Sequence, residues 1–418
     1  MALGSRARVG LVAAAVIAAI LLLGRPSSPP DRLPAASGPT APIAPGNDAA
    51  APALKDPFGW APNRAAAYVA RAAAGAAHVL YAMSPGGAQA TAARVARWRP
   101  QIERAAKAAG VSADRLEGLV FLESAGRADA VVPSGVSGAA GLTQIVAETG
   151  VDLLGMHVDL KRSASYTKRI VHAQDAGRLR RVTALERARA RVDDRFDPAK
   201  ALAATARYLT LAKRRFGRED LAFVSYHMGI GNLGNVLADY GHGNVPYVQV
   251  YFDSTPTRSP RTFARLSGFG DDSSNYLWKI GAAEQVMALF RHDPKRLARL
   301  EALHGGADSA ELVLHPPPVA APAGQQPVGD RDGLRAPATA RLAPRALTVL
   351  RELGREVAAI SHAPALRVLG ASGWTLDVSR HYASGAQAQA FQFALDRLQI
   401  LNAIAWARRG DRIRITVA

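Results

Sequence analysis

Glu123 is the residue in this chain whose setting most plainly offers chemistry. Leu116, Leu119, Val120 and Glu123 recur at i, i+3, i+4 and i+7, a spacing that predicts an amphipathic helix with one carboxylate on its apolar face. The helix should stop in Ser124-Ala125-Gly126, which leaves Glu123 near a carbonyl-rich C-terminal end. Desolvation and the negative end of the helix dipole both disfavour the ionised carboxylate. A carboxyl group whose pKa is raised in this way suits a general acid. The same position also suits a glutamate at the helix rim that reaches water or pairs with Arg127.

A carboxyl group works as a catalyst only when other elements hold it in place, and the sequence marks several. Ser112 and Asp114 predict the start of the Glu123 helix, an N-cap followed by an acidic first turn. Asp197-Pro198 predicts another helix start, with Leu202, Ala206, Leu209 and Phe216 lining one face and Gly217 ending it. A shorter helix follows over 221–228 and stops at Gly229-Ile230-Gly231-Asn232. Upstream, residues 63–83 and 90–110 turn helical, and the whole span 58–304 reads as all-helical with long loops. Between Met156 and Arg195 the chain is rich in arginine and poor in acids, which predicts a solvated helical face, with polyanion contact as the alternative.

Composition sets the outer limits. A chain of 418 residues predicts two or three domains, and 49% hydrophobic with 21% charged residues suits a sizeable core. The formal net charge of +18 favours contact with polyanions such as cell-wall polymers or anionic lipid headgroups. Nucleic acid is not expected as a partner, because the zinc-finger, basic-zipper and aromatic-interleaved strand patterns are missing. The chain has no cysteine, which excludes a disulfide scaffold, a thiolate zinc site and a lipid-modified cysteine.

Arg6 and Arg8 precede an uninterrupted apolar run over 9–24, which reads as an export signal. Residues 1–25 are therefore a signal peptide or an uncleaved N-terminal membrane anchor, and either places the remainder beyond the membrane. Residues 26–57 form a Pro/Ala-rich linker, 58–305 a helical domain, 306–340 a second Pro/Ala-rich linker, and 341–418 a small module. In that module, helices over 345–360 and 386–404 alternate with an extended stretch over 365–381 and a β-hairpin turned at Gly410-Asp411. The fold class expected is mainly α, with a smaller C-terminal α+β domain.

Several motifs then follow one another in an informative order. They are Glu123-Ser124; Gly138-Ala139-Ala140-Gly141-Leu142-Thr143-Gln144-Ile145; and Phe196-Asp197-Pro198 with Ala206-Arg207-Tyr208-Leu209. Next come Ser225-Tyr226-His227-Met228-Gly229-Ile230-Gly231-Asn232 and Asn275-Tyr276-Leu277-Trp278-Lys279-Ile280. In this order the chain resembles the lytic transglycosylases of the soluble-lytic-transglycosylase type, over roughly residues 98–290. It departs from them in Thr143 for the usual methionine, in His227 for the usual asparagine, and in the long basic segment. Gly135 stands near the family's serine position, with Ser134 and Ser137 flanking it.

The resemblance implies a lysozyme-like helical catalytic domain acting on peptidoglycan glycan strands, with no cofactor and no metal. Most glycosidases use two carboxylates, whereas these motifs supply one, and nothing in the sequence places Asp129 opposite it. One carboxyl group suffices in the family's mechanism, because the substrate supplies its own nucleophile and closes a 1,6-anhydro ring. The resemblance assigns Glu123 as the acid and base. It assigns Gln144, Ser134, Ser137, Tyr226, His227 and Tyr276 to substrate binding. Each of these also has a structural reading: Gln144 as a loop brace, the tyrosines as core residues with bonded hydroxyls, His227 as a satisfied or exposed imidazole.

Two rival functions remain at this level, a muramidase that admits water and a catalytically silent wall-binding scaffold. The C-terminal module resembles a degenerate zinc D-Ala-D-Ala or LD-carboxypeptidase-type domain through Gly373-Trp374-Thr375-Leu376-Asp377-Val378. Gly370 and Arg414 stand where histidines would be needed, and His381 does not replace them, so the module is expected to be non-catalytic.

Overall fold

The computed structural model describes residues 60–255, 258–269, 271–305, 324–361, 364–401 and 403–417. The apolar run over 9–24 lies outside these residues. Among the described residues no helix is long and apolar enough to cross a membrane.

The chain begins with α1 (Ala65–Met83), α2 (Ala88–Ala96), α3 (Arg99–Ala109) and α4 (Ala113–Ser124). A two-residue pair, β1 (Ala139–Ala140) and β2 (Ile145–Val146), interrupts the helices. Then come α5 (Leu160–Asp175), α6 (Leu179–Ala190), α7 (Pro198–Phe216), α8 (Glu219–Met228) and α9 (Ile230–Tyr240). They are followed by α10 (Tyr247–Asp253), α11 (Pro260–Ser267), α12 (Tyr276–His292) and α13 (Pro294–His304). The remainder alternates: β3 (Gln326–Pro327), β4 (Leu334–Arg335), β5 (Arg341–Leu342), α14 (Pro344–Ser361), β6 (Leu366–Gly373), β7 (Thr375–Ser379), α15 (Gly385–Ile400), β8 (Ile404–Arg409) and β9 (Arg412–Val417). The protein is thus mainly α with a smaller C-terminal α+β region.

Two compact units divide this chain, and they do not follow its linear order. One gathers Met83–Gly234 with Phe269–Ala298; the other gathers the described part of Asp31–Ala82 with Asn235–Gly268 and Arg299–Ala418. The grouping differs from the division into 58–305 and 341–418 expected from linker composition.

In the first unit α4 is the central element. Ser112 Oγ accepts the Arg115 N–H at its start, and Ala125 closes it in the left-handed region at φ 54°. Leu116, Leu119 and Val120 are fully buried, as their spacing requires. Helix α12 lies along α4, and Gly118 permits the approach: a Cβ there would sit 2.9 Å from the Ile280 carbonyl oxygen. Helix α7 starts on Asp197, whose carboxylate caps Ala199 and Lys200, and ends at Gly217.

In the second unit the strands form one sheet in the order β3-β5-β6-β7-β9-β8, with β4 also pairing with β6. Residues 326–335 fell in the expected linker, yet they carry β3 and β4. The hairpin β8–β9 turns at Gly410-Asp411 as the sequence implied, with Gly410 at φ 61°. Helices α1, α10 and α11 belong to this unit. Arg71 on α1 donates to the Leu401 carbonyl at 2.9 Å, and Arg397 on α15 donates to the Ser254 and Phe252 carbonyls at 2.5 and 3.1 Å. Phe263 meets Phe393 edge-on at 5.0 Å.

Candidate active site

Glu123 sits in the last turn of α4 and is only 5% exposed. It lines a cavity of about 420 Å³ within the first unit, together with Gln144, Tyr226, His227, Asn232 and Asp271. The Tyr276 hydroxyl, at the first residue of α12, donates to Glu123 Oε1 at 2.5 Å. Burial raises the Glu123 pKa to about 7, against the opposing pull of His227 and the Tyr276 hydrogen bond; the Asp272 charge raises it further. The rim-glutamate alternative fails, since Arg127 Nε is turned to the Ser124 carbonyl.

His227 lies in the last turn of α8 with its side chain 6% exposed, and its Nε2 lies 3.1 Å from Asp272 Oδ1. The imidazole stacks on Tyr276, with centroids 4.8 Å apart and planes 11° from parallel. Burial opposes protonation of His227, yet Asp272, Glu123 and Asp271 raise its pKa above the ordinary value. Burial likewise opposes ionisation of Asp272, but His227 and the Lys279 ammonium, 2.7 Å away, hold that carboxyl far below the usual range. A chain of charge thus runs from Lys279 through Asp272 and His227 to the Tyr276–Glu123 pair. The ligand atoms of His227, Asp271 and Asp272 lie within 4.8 Å of one another, close enough to converge on a cation. Lys279 already supplies a positive charge to Asp272 there.

Tyr226 and Gln144 serve mainly to hold the walls. The Tyr226 hydroxyl donates to the Thr143 carbonyl at 2.8 Å and lies 3.2 Å from Thr205 Oγ1. Burial, with the nearby Glu123 charge, pushes the Tyr226 pKa up. Gln144 adopts a left-handed φ of 50° and donates through Nε2 to the Gly141 and Ala130 carbonyls at 2.8 and 3.3 Å. It therefore braces the loop and lines the cavity at once. Ser134 and Ser137, expected at the substrate, are exposed and are not among the lining residues. Their loop turns outward instead, and Ser137 Oγ donates to the Ser134 carbonyl at 3.3 Å.

The loop that carries Gln144 is fixed by a residue the sequence placed in a solvated face. Arg195 is fully buried and forms a bidentate pair with Asp193, at 2.9 and 2.8 Å. Its remaining N–H groups donate to the Val136, Gly138 and Ile145 carbonyls at 2.6, 2.8 and 3.3 Å. Ser163 Oγ completes the cluster by donating to Asp193 at 2.7 Å. Gly141 passes so close that a Cβ there would lie 1.8 Å from the Arg195 carbonyl oxygen, and its φ of 79° suits only glycine. The expectation for the basic segment holds for most of α5 and α6, whose charged residues are largely exposed, but it fails for Arg189 and Arg195.

Beyond α8 the chain was expected to leave helix at Gly229-Ile230-Gly231-Asn232. It breaks only at Gly229, with φ 89°, and re-enters helix at Ile230. That sharp corner brings Asn232 to the cavity wall, where its Nδ2 donates to the Met228 carbonyl at 2.9 Å. Tyr208, Asn232, Asp271 and Asp272 are site residues that sequence reasoning did not assign. Tyr208 and Asn232 lay inside motifs already singled out. Asp271 and Asp272 had no signal beyond their place just before Tyr276. Asp129 is engaged elsewhere, acting on Glu186 and Arg189.

Residues 173–245 match the family model described as Transglycosylase SLT domain. The match spans α6, α7, α8 and α9 but neither Glu123 nor Gln144, and it supports the lytic transglycosylase resemblance of this chain. No curated protein and no solved structure matches the chain.

Proposed function

We propose that this protein is a peptidoglycan lytic transglycosylase in which Glu123 is the acid and base. The observation that carries the reading is a single buried carboxyl group, with a pKa near 7 and a tyrosine hydroxyl fixing one oxygen, at the wall of a cavity. A carboxyl group poised near neutrality can both deliver and recover a proton.

The steps balance without water. Glu123 gives its proton to the glycosidic oxygen between N-acetylmuramic acid and N-acetylglucosamine, and the C1–O bond breaks with the electron pair leaving on that oxygen. The N-acetyl group of the muramic sugar assists that departure. The C6 hydroxyl of the same sugar then forms a new bond to C1, and its proton returns to Glu123. The product carries a 1,6-anhydro end. The helical unit around Glu123 is, in this reading, lysozyme-like. Gln144, Tyr226 and His227 shape the sugar site, and Tyr276 orients the acid. Substrate in the wall requires the protein to work outside the cytoplasmic membrane, by way of a signal peptide or anchor in residues 1–25.

A hydrolytic muramidase is the second reading, and Asp271 favours it, since it adds a carboxyl group to the same cavity as Glu123. Mass spectra of fragments released from purified sacculi separate the two. A transglycosylase gives products lighter by one water than those of a muramidase. Glu123→Gln should lower the rate by ~10²–10⁴-fold, the usual contribution of a positioned acid. If wild type and variant degrade the sacculi equally slowly, the enzyme reading falls and a wall-binding scaffold is left.

A further inference from the structure

We infer that the first unit carries a second substrate site, a cationic groove beside the sugar cavity that takes the carboxylate-bearing peptide stems of the glycan strand. This rests on the peptidoglycan reading above. The groove lies between α3 and α7 and encloses about 610 Å³. Its floor is small and apolar, formed by Ala105, Ala108, Leu202, Ala203 and Ala206. Arg104, Arg207 and Arg214 stand around it, all exposed, and no carboxylate is among the lining residues.

The floor matches alanine methyl groups, and the guanidinium rim matches free carboxylates on a flexible chain. Sugar rings would call instead for aromatic platforms, and none is among the lining residues, where Gln101 is the one amide. The groove also adjoins the sugar cavity. Leu153, 48% exposed, lines both. Arg207 reaches across the same ridge, donating through Nε and Nη2 to the Leu154 carbonyl at 3.0 and 2.7 Å, and Leu154 lines the sugar cavity. A peptide attached to a sugar held beside Glu123 can therefore pass over Leu153 into the groove.

The test measures co-sedimentation of the full-length Glu123→Gln protein with sacculi that keep their stems and with sacculi stripped of stems by an amidase. Adding Arg104→Gln and Arg214→Gln together should lower the ratio of affinities, stem-bearing over stripped, by roughly tenfold, with a smaller drop at high salt. Arg215→Gln, on the same helix but off the groove, serves as the control for general charge loss. An unchanged ratio in the double variant, or an equal fall in Arg215→Gln, overturns the proposal. So does a double variant that loses binding to anionic lipid vesicles while keeping the ratio, since the groove would then face a membrane. Because binding is read on an inactive protein, failure of the wild type to cleave either kind of sacculus would refute the lytic reading separately.

Discussion

Burial drives the Glu123 carboxyl upward, the His227 charge and the Tyr276 hydroxyl pull it back, and the balance falls at about 7. Each of these is open to a separate test. His227→Asn removes the cation, so the Glu123 pKa should rise and the alkaline limb of kcat/KM should move to higher pH. A limb that moved down would contradict the charge chain from Lys279 through Asp272. Stability responds to the same group with a definite sign. Because the folded-state pKa lies above the ordinary 4.5, the folded protein binds the extra proton, and stability falls as pH rises from there through 7. Glu123→Gln, which mimics the protonated group, should therefore be more stable than wild type at pH 8, by on the order of 3 kcal/mol. The difference should fade toward pH 4.5, as urea denaturation at the two pH values would show.

At the scale of elements, the cavity depends on a loop rather than on the helices alone. The carbonyls of Val136, Gly138 and Ile145 all converge on Arg195, so one side chain sets the path of the loop that carries Gln144. Arg195→Met strands Asp193 as a buried charge and should cost about 3–5 kcal/mol. Denaturant unfolding would measure that loss, and turnover should fall with it as Gln144 loosens. The helix bearing Glu123 was legible from spacing and caps because those signals are local: Ser112 and the left-handed residue after Ser124 lie within its own turns. The burial of Arg195 was not legible. It lies in a run of arginines that mostly face solvent, and apart from Asp193 its partners come from residues more than forty positions away.

At the scale of the molecule, the C-terminal α+β region is not an independent appendage. Helices α1, α10 and α11 precede it in the chain yet pack within the same unit, held by Arg71 to the Leu401 carbonyl and by Arg397 to the Ser254 and Phe252 carbonyls. Arg397 also approaches Glu356 at 3.5 Å, a carboxyl that burial raises to about 7. A chain truncated after His304 would expose the α1 and α10 faces that these contacts cover. It should melt below the full-length protein or aggregate, which calorimetry and light scattering would report. Equal thermal stability of the two would show that the linear domain scheme is sufficient. In the same unit Asp377, the one candidate zinc ligand of the module, is held bidentately by Arg414 at 2.9 and 3.0 Å.

The sequence by itself determined the mainly α class, the helix that carries Glu123, the hairpin at Gly410-Asp411, and the ordered motifs that supply Gln144, Tyr226, His227 and Tyr276. The first three rest on periodicity, caps and turn residues, which act over a few positions; the motif residues rest on the family resemblance. Only the tertiary structure decided what those residues do. It turned Ser134 and Ser137 outward, made Gln144 a brace as well as a wall, aimed the Tyr276 hydroxyl at Glu123 as a hydrogen-bond donor, and set His227 against Asp272. It also split the chain by contact instead of by linker. The reason is range: burial and charge pairing depend on partners up to some 330 residues apart, as Arg71 and Leu401 are, and local spacing carries no record of them.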